Sequence, residues 1–377
     1  MLRQRFSPIG LDLGEKVSKA VQLKLAGGRI VLHDYAVFDT PGGSLDAGRI
    51  GDIPVLEKIL AGLRRGKRFK GRKVNCNINP QQVYLRSLTL PAMEPGELSE
   101  AVYWETRRYL ESAMEDPVID FCILGEKEIT GKLLLDVLAV AVPRKVVESY
   151  YYLLIRSGLE PLAMEIEQLS LFRLVGNIIT KDTLSYDLQG RPFLVLDIGS
   201  RSTKLIIIMG KKLLFCRTIK AGIDYSGNKP LWNSGKEIMI NRENSFNIRD
   251  RRLLSAARVI LSEVERSLEY FSFHLDYRGK DVHCLYLTGG GSAVNGLSSF
   301  LSRKLEMEAR FLDPFTKIGI GEAAKKAADK DAGVSPANPE KVLQHAADAS
   351  GGNISFLLAP ALGASLRRWS GTAYLIR

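Results

Sequence analysis

The sequence predicts an α/β protein of two related lobes, with an additional subdomain inserted into the first lobe. The first observation is a repeat, because IGLDLGEKVSKAVQL at 9–23 is similar to LVLDIGSRSTKLIII at 194–208. One constant offset aligns Asp12 with Asp197, Gly14 with Gly199, Ser18 with Thr203 and Lys19 with Lys204. The second observation is the length of 377 residues, which is long for one hydrophobic core. The third is a stretch between the repeats that has no counterpart in the second half.

Each repeat opens a run of strands to which helices are added. In the first copy, IGLDLG and SKAVQLKL read as strands joined by a turn, and GGRIVLHDYAVFDTP reads as a third strand. GDIPVLEKILAGLRR then has one apolar helical face, and a strand follows around Val74 to Ile78. In the second copy, PFLVLDIG, STKLIIIMG and KLLFCRTIKAG are strands, LLSAARVILSEVERSLEYFSF is a helix and VHCLYLTGGG is a strand. The predicted fold is therefore a duplicated β-meander with added helices.

The inserted material contains its own strands and helices. VYLRSLTLP, VIDFCILGE and KLLLDVLAVAVP are predicted strands, and EPGELSEAVYWETRRYLES and RKVVESYYYLLIRSGL are predicted helices. We assign residues 83–159 to an inserted subdomain that folds by itself, 1–82 plus 160–188 to the first lobe, and 189–377 to the second lobe. The polar stretches 224–250 and 321–353 lack an apolar stripe and are predicted excursions from the core.

Composition restricts the classes of function. With 45% hydrophobic and 25% charged residues, the chain has an ordinary globular composition. Its four cysteines stand apart without metal-ligand spacing, and no window is apolar over the ~18 residues of a membrane span, so a cytoplasmic protein is expected. The formal charge of +11 is concentrated in 64–73 and 366–377. Neither cluster has the pattern of a recognition helix or stacking aromatics, and we predict no nucleic-acid binding.

The turn after each Asp-x-Gly strand has the chemistry of a phosphate site. Backbone N–H groups are presented at such a turn, and glycine tolerates the close approach of a phosphate oxygen. The aspartate would repel bare phosphate, but it can hold a hydrated Mg²⁺ that bridges phosphate groups. Because the motif occurs twice, Asp12 and Asp197 are predicted metal ligands on opposite sides of one Mg-nucleotide.

A third glycine-rich turn, LYLTGGGSAVNGLSSFL at 285–301, leads from a strand into a helix. Its bare backbone allows a nucleotide to approach, and the helix N-terminus adds partial positive charge. The predicted nucleotide-binding residues are Asp12, Gly14, Ser18, Lys19, Asp197, Gly199, Ser200, Thr203, Lys204, Gly289, Gly290, Gly291 and Ser292.

In this order the motifs resemble the actin-like ATPase superfamily, which includes actin, Hsp70, sugar kinases and FtsA. Within it, the chain is similar to the PilM family of type IV pilus assembly through IGLDLG, VYLRSLTLPAMEPGELSEAVYWETRRYLE, LVLDIGSRSTKLIII, LTGGGSAVNGLSSFLSRKLEMEARFLDPF and APALGASLR. The resemblance implies an actin-like fold with ATP and Mg²⁺ in the cleft and an FtsA-like 1C (SHS2-like) subdomain at 83–159. It also implies a cytoplasmic scaffold, peripheral at the inner membrane, that binds the N-terminal peptide of a PilN-like membrane protein.

The predicted peptide site lies between the first lobe and the inserted subdomain, where an exposed sheet edge can accept an additional strand. Its predicted residues are Leu85, Arg86 and Leu88 on the first inserted strand, with Trp104 and Arg108 on the following helix. Pilus motor ATPases are further possible partners, and self-association is compatible with the resemblance.

Two other function classes are considered. An FtsA-like membrane tether of cell division is the alternative, but such tethers end in a separated amphipathic helix. Here ASLRRWSGTAYLIR follows the last predicted helix almost directly. A small-molecule kinase of the same superfamily is the third class, for which no substrate-binding insertion is recognisable.

Two positions depart from the family pattern. Glu15 stands where a small hydroxyl residue usually follows the glycine, and its charge is unfavourable beside a triphosphate unless it is turned away or paired, with Lys16 an available partner. The polar stretch 224–250 replaces a helical segment that helps to hold the nucleoside, so recognition of the base is in question.

ATP hydrolysis needs a group that orients water toward the γ-phosphate. The segment PLAMEIEQLSLFRLV offers Glu165, Glu167 and Gln168. Glu165 is the predicted catalytic residue, and we expect ATP binding with weak or absent hydrolysis.

Overall fold

The computed structural model of the chain describes residues 5–66, 68–80, 82–110, 114–178, 190–210, 212–224, 251–274, 281–294, 296–322, 324 and 357–367. The predicted excursions lie outside these residues except for 224, 321, 322 and 324, and so does the C-terminal tail from 368.

The described elements are β1 (Arg5–Phe6), β2 (Ile9–Asp12), β3 (Val17–Ala26), β4 (Arg29–Asp39), β5 (Leu45–Asp46), β6 (Arg49–Ile50), α1 (Ile53–Arg65), β7 (Lys73–Ile78), β8 (Tyr84–Pro91), α2 (Pro95–Leu110), β9 (Pro117–Ile129), β10 (Lys132–Pro143), α3 (Arg144–Arg156), β11 (Glu160–Ile166), α4 (Glu167–Ile178), β12 (Phe193–Ile198), β13 (Thr203–Met209), β14 (Lys212–Ile219), α5 (Arg251–His274), β15 (Cys284–Thr288), α6 (Leu297–Leu305), β16 (Glu308–Phe311), β17 (Gly319–Ile320) and α7 (Ala359–Leu366). Runs of strands are separated by single helices along the described chain, except that β11 stands alone between α3 and α4 and β15 between α5 and α6.

The first sheet contains the first repeat. Its strands lie in the order β11, β7, β2, β3, β4 and β17, and β1 pairs with β3. Strand β2 is antiparallel to β3 and parallel to β7, and it is buried along its length, as expected for a central strand that is covered on both faces. Helix α1 begins where the Asp52 side chain accepts a hydrogen bond from Val55 N at 3.0 Å, a standard N-cap.

The second sheet repeats this arrangement. Its strands lie in the order β14, β13, β12, β15 and β16, with β12 antiparallel to β13 and parallel to β15. The register of each hairpin places an aspartate opposite a lysine, Asp12 opposite Lys19 and Asp197 opposite Lys204. The repeat read from the sequence is therefore present in three dimensions, including its cross-strand Asp–Lys pairs.

The inserted material forms a sheet of its own in the order β8, β10 and β9. Helix α2 covers one face and shares a small apolar cluster with it, which includes Leu88, Leu98 and Val102. Helix α3 instead buries Tyr150, Leu153 and Leu154 in the main core of the first lobe. Helix α2 thus packs over the inserted strands, whereas α3 packs against α1, β6 and β11 as well as the inserted strands.

Helix α7 comes after the second sheet in the chain but packs on the first sheet. It contacts β2, β3, β7 and α4, and Asn75 Nδ2 donates to Ala364 O at 3.0 Å. The boundaries assigned from the sequence stay predictions. On these contacts we propose that α7 be counted with the first lobe and α3 with its core.

None of the helices in the described part of the chain has the length and apolar composition needed to cross a membrane.

Candidate functional site

The three glycine-rich turns predicted from the sequence meet at one cleft between the two sheets. The cleft has a volume of about 370 Å³. The β2–β3 turn forms one wall, the β12–β13 turn forms the opposite wall, and the turn after β15 and the start of α4 complete the lining. Strands of both repeats thus end at the same place, as expected for a ligand site at the carboxyl ends of central strands.

Glycine is required where the third turn passes the second aspartate. Gly289 has φ +81, and a Cβ atom there would lie 2.2 Å from Asp197 Oδ1 and 2.5 Å from Ile198 O. Any side chain would therefore displace the Asp197 carboxylate from the cleft.

Asp12 is held by the lysine opposite it in the hairpin. Lys19 Nζ donates to Asp12 Oδ2 at 2.9 Å, and the Asp12 side chain is only 3% exposed. Burial acts to raise the pKa of Asp12, but Lys19, assisted by Lys204, outweighs it and holds this pKa below its usual value. Among the described residues no donor reaches Asp12 Oδ1, so one lone-pair face of this ionised carboxylate has no hydrogen bond.

Two further acids, Glu167 and Asp197, lie beside Asp12 in the cleft. Lys204 Nζ forms an ion pair with Glu167 Oε2 and donates to Ser202 Oγ at 2.9 Å. Burial raises the pKa of Glu167 to about 8, and the charges of Asp12 and Asp197 add to this effect against the attraction of Lys204. Burial also raises the pKa of Asp197 to about 6, against the attraction of Lys204 and Lys19. Three carboxyl groups thus share the cleft with two lysines.

The structure brings most of the predicted nucleotide-binding residues together. Those that line the cleft are Asp12, Gly14, Lys19, Asp197, Gly199, Ser200, Lys204, Gly289, Gly290 and Gly291.

Of the four predicted hydroxyl residues, Ser200 lines this cleft and Ser18, Thr203 and Ser292 do not. Ser18 Oγ bonds Thr40 Oγ1 at 2.7 Å, Thr203 Oγ1 donates to Ala221 O at 2.8 Å, and Ser292 Oγ donates to Gly289 O at 2.7 Å. Their hydrogen bonds fix the turns, a role that the aligned repeat alone does not distinguish from ligand contact.

Glu165, the predicted catalytic residue, is placed outside the cleft. Arg173 donates to both of its carboxylate oxygens at 2.6 and 2.8 Å, and Arg367 lies 3.2 Å from Oε2. Glu167, two residues later, does line the cleft. Strand β11 ends between these two acids and α4 begins at Glu167, and the sequence does not fix that boundary closely enough to choose between them.

Several cleft residues were not predicted as site residues. They include Lys16, Asp39, Thr40, Asn79, Arg201, Ser202, Asp224, Leu357 and Pro360. Lys16 and Arg201 could have been found, because each lies within two residues of an Asp-x-Gly turn. Leu357 and Pro360 reach the cleft only because α7 folds back onto the first lobe.

The predicted Mg²⁺ can be tested against the donors that are present. In the described part of the chain, no group of three or more His, Cys, Asp or Glu side chains is arranged to hold a metal ion. Mg²⁺ usually keeps several waters and takes one or two carboxylates together with phosphate oxygens. The Asp12 and Asp197 pair, with Asp12 Oδ1 lacking a donor, fits that kind of site, so the residues fit a hydrated ion bound together with a phosphate ligand.

The predicted peptide residues divide between a groove, a core and a helix face. A second cavity of about 370 Å³ lies between β8 and β14 and is lined by Tyr84, Leu85, Arg86, Ser87, Leu124, Leu138, Leu213, Leu214, Phe215, Cys216 and Tyr270. Leu85 and Arg86 therefore face a groove between the inserted sheet and the second lobe, whereas the sequence placed the groove against the first lobe.

The other three predicted residues lie elsewhere. Leu88 is buried against α2, and Trp104 is 67% exposed on that helix. Arg108 is also exposed there, 3.6 Å from Glu105. Arg86 connects the groove to the helix, because its guanidinium lies 3.1 Å from the centre of the Tyr109 ring.

Comparison with known proteins identifies the family. The sequence model described as "Type IV pilus assembly protein PilM" matches residues 10–333. The chain belongs to the PilM family. Among solved structures, it is similar to a "PilM-PilN type IV pilus biogenesis complex" at 25% identity and a TM-score of 0.70, covering 96% of this chain and 98% of that one.

More distant structures are similar to this PilM-family chain over most of its length. EutJ from Carboxydothermus hydrogenoformans has 15% identity, covers 96% of this chain and 89% of its own, and has a TM-score of 0.46. MreB5 of Spiroplasma citri has 13% identity and a TM-score of 0.41, and the match covers 81% of this chain and 91% of MreB5. The predicted two-lobed actin-like fold is confirmed, and with it the assignment to type IV pilus assembly. The identification of 83–159 as a 1C subdomain stays a prediction.

Proposed function

We propose that this PilM-family chain is a nucleotide-binding scaffold of the type IV pilus inner-membrane assembly platform. The observation that carries the proposal is the meeting of both Asp-x-Gly turns, Lys19, Lys204 and the Gly289–Gly291 turn at one cleft. Lysine ammonium groups and backbone N–H groups of glycine-rich turns are donors that phosphate oxygens accept from. A nucleoside triphosphate is the ligand class that this combination supports.

The residues have distinct roles in the proposed complex. Lys19 and Lys204 would neutralise phosphate oxygens, and the glycine turns would allow close approach. Asp12 and Asp197 would hold Mg²⁺ through its waters. When bound, the ion supplies positive charge that bridges the phosphates. Glu167 is the proposed water-orienting group for slow hydrolysis, since its carboxyl group lines the cleft.

The nucleotide proposal is tested by thermal unfolding and calorimetry with Mg-ATP. At ~100 times its Kd, a ligand that binds only the native state adds about 2.7 kcal/mol of stability. The melting temperature should therefore rise with Mg-ATP and rise less with ATP plus EDTA. Asp197→Ala should abolish the rise while the fold remains, whereas the matched change Asp136→Ala, at a surface ion pair of the inserted sheet, should retain it. Neither a melting shift nor binding heat at saturating Mg-ATP would contradict the proposal.

We further propose that the groove between β8 and β14 binds the cytoplasmic N-terminal peptide of a PilN-like membrane protein. Among the described strands, β8 and β14 are each the outer strand of their sheets, so both have backbone groups available for an added strand. Leu85, Leu138 and Phe215 supply apolar lining for alternate side chains of that peptide. Binding of this kind would keep the chain peripheral at the cytoplasmic face of the inner membrane, where motor ATPases of the pilus are further proposed partners.

Fluorescence anisotropy with a labelled N-terminal peptide of the PilN-like protein of the same pilus system tests the groove. Leu85→Asp places a charge among apolar groups and should weaken binding about tenfold or more. Trp104→Ala, on the exposed face of α2 and outside the groove, should leave the affinity within about twofold. Loss of binding in Trp104→Ala with retention in Leu85→Asp would move the site to the helix face.

A further inference from the structure

Glu15 and Lys16 each form an ion pair with the opposite lobe at the cleft. Glu15 Oε2 lies 3.6 Å from Arg201 Nε, and Lys16 Nζ lies 3.6 Å from Asp224 Oδ2. The two residues that follow the first Asp-x-Gly turn thus make two contacts of opposite polarity across the cleft. We call these four residues the clasp.

Glu15 is fixed in the clasp by a neighbouring hairpin. Its Oε1 accepts a hydrogen bond from Ala47 N at 2.9 Å. Ala47 and Gly48 form the two-residue turn between β5 and β6, with φ +52 and +73, and Ala47 is a strained residue in this left-handed region. A Cβ at position 48 would lie 1.9 Å from Asn79 O, so glycine is required there. The turn is therefore held in a conformation that presents the Ala47 N–H to Glu15.

Arg201 is the more accessible member of its pair. Its side chain is 60% exposed, against 20% for Glu15, and it lines the cleft in the second phosphate turn. At 3.6 Å the pair is longer than a hydrogen bond, so it holds Arg201 by charge alone. Phosphate oxygens offer a guanidinium shorter, bidentate and charge-assisted hydrogen bonds. A polyphosphate in the cleft would thus compete with Glu15 for Arg201.

We propose that Arg201 is a phosphate-binding residue that pairs with Glu15 when no ligand is bound. A nucleoside polyphosphate then replaces Glu15 as the partner of Arg201 and releases one of the clasp's two contacts. The inference rests on the nucleotide binding proposed for the same cleft. The proposal gives Glu15 a role, because this glutamate would lower the affinity for the nucleotide. It would also make the Glu15–Arg201 ion pair between the lobes depend on the ligand. The Lys16–Asp224 contact is retained in both states.

Calorimetric titration of the full chain with Mg-ATP tests the exchange by a double-mutant cycle. Glu15→Gln should raise the affinity about two- to fivefold, the range that a partly exposed ion pair is worth. Glu15→Ser, which restores a small hydroxyl residue, should do the same. Arg201→Gln should lower the affinity, and Glu15→Gln should have no further effect in that background. Glu57→Gln removes a 2.8 Å surface pair with Arg156 between α1 and α3 and should leave the affinity unchanged.

The cycle separates this proposal from the one on which it depends. If the wild-type chain binds Mg-ATP but Glu15→Gln and Glu15→Ser bind it no better, the proposed role of Arg201 is wrong and nucleotide binding stands. If Glu15→Gln raises the Mg-ATP affinity equally in the Arg201→Gln background, the proposed role of Arg201 is also wrong. If the wild-type chain does not bind Mg-ATP, both proposals fail. Unfolding curves of each variant confirm that the compared chains are folded.

Discussion

The cleft is controlled at the level of single residues by an excess of buried acid. Asp12, Glu167 and Asp197 share two ammonium groups, and burial, with a smaller contribution from the neighbouring carboxylates, raises the pKa values of Glu167 and Asp197. A divalent ion carried in with phosphate would supply the missing charge. The same electrostatic arrangement that disfavours the empty, fully ionised cleft therefore favours a metal–phosphate ligand.

Mg-ATP affinity should fall in mild acid. A metal-binding carboxylate must be deprotonated, and the pKa of Asp197 is about 6 in the free protein. Above pH 6 the group is ionised and binding is unaffected by its titration, and below pH 6 affinity should drop by up to about tenfold per pH unit. Calorimetry from pH 7.5 to 5.0 measures this dependence. Asp197→Asn is the control, which should bind Mg-ATP weakly and lack the fall in affinity below pH 6. A flat profile in the wild-type chain would show that Asp197 does not serve the metal.

Glu165 should be a stability residue and not a catalytic one. Its partner Arg173 has a side chain that is 1% exposed, so Glu165→Gln leaves a buried cation without its counter-charge. Removal of one member of such a pair typically costs about 3–5 kcal/mol. Urea denaturation should show this loss, whereas Glu57→Gln at the surface should cost less than about 1 kcal/mol. Unchanged stability together with lost ATP turnover in Glu165→Gln would restore the catalytic prediction.

The turns predicted from the sequence meet at one cleft because backbone geometry determines their position. The Asp-x-Gly turns and Gly289–Gly291 end strands, and strand ends of one sheet meet at one edge. The sequence did not separate Glu165 from Glu167, or ligand hydroxyls from Ser18 and Thr203, because a side chain that faces the cleft and one that faces the core look alike when the element boundary is uncertain by one residue.

At the scale of elements, α4 and α7 connect parts of the molecule that are distant in sequence. Every residue of α4 from Glu167 to Val175 is buried, and Gln168 Nε2 donates to Thr218 Oγ1 of β14 at 2.7 Å. The same helix packs against α7 at Gly363, where a Cβ would lie 1.9 Å from Ser170 O. Sequence periodicity does not specify this partnership, because α7 is buried on every side and α4 buries polar as well as apolar residues.

Two glycine substitutions test that packing. Gly363→Ala forces α7 away from α4, and the backbone oxygen it meets cannot move aside as a flexible side chain can, so we expect a loss of more than about 2 kcal/mol. Gly62→Ala is the matched control in α1, where nothing lies within 4 Å of the added Cβ, and it should stabilise by about 0.5–1 kcal/mol. The opposite signs are read from chemical denaturation midpoints. Equal stabilisation by both changes would show that α7 does not dock on α4.

For the whole molecule, the sequence predicted the duplication, the inserted sheet and their order, because these depend on strand and helix patterns that are local in the chain. It did not predict that β17 pairs with β4, or that the inserted sheet faces β14 of the second lobe. Such contacts join residues far apart in sequence, and they follow from how completed sheets pack rather than from any pattern within a segment. The groove proposed for the peptide is one of these contacts.

The position of α7 on the first sheet has a consequence for how the chain folds as it is synthesised. Gly10 of β2 lies so close to α7 that a Cβ there would be 2.0 Å from Ala361 O, and Ser365 Oγ bonds Ser7 Oγ at 2.6 Å. Domains usually fold in order as they leave the ribosome. Here the first sheet is synthesised first, and the face of β2 on which α7 packs stays uncovered until residues 359–366 have emerged. The partly synthesised first lobe is therefore an aggregation-prone intermediate, and it is complete only after the second lobe has been translated.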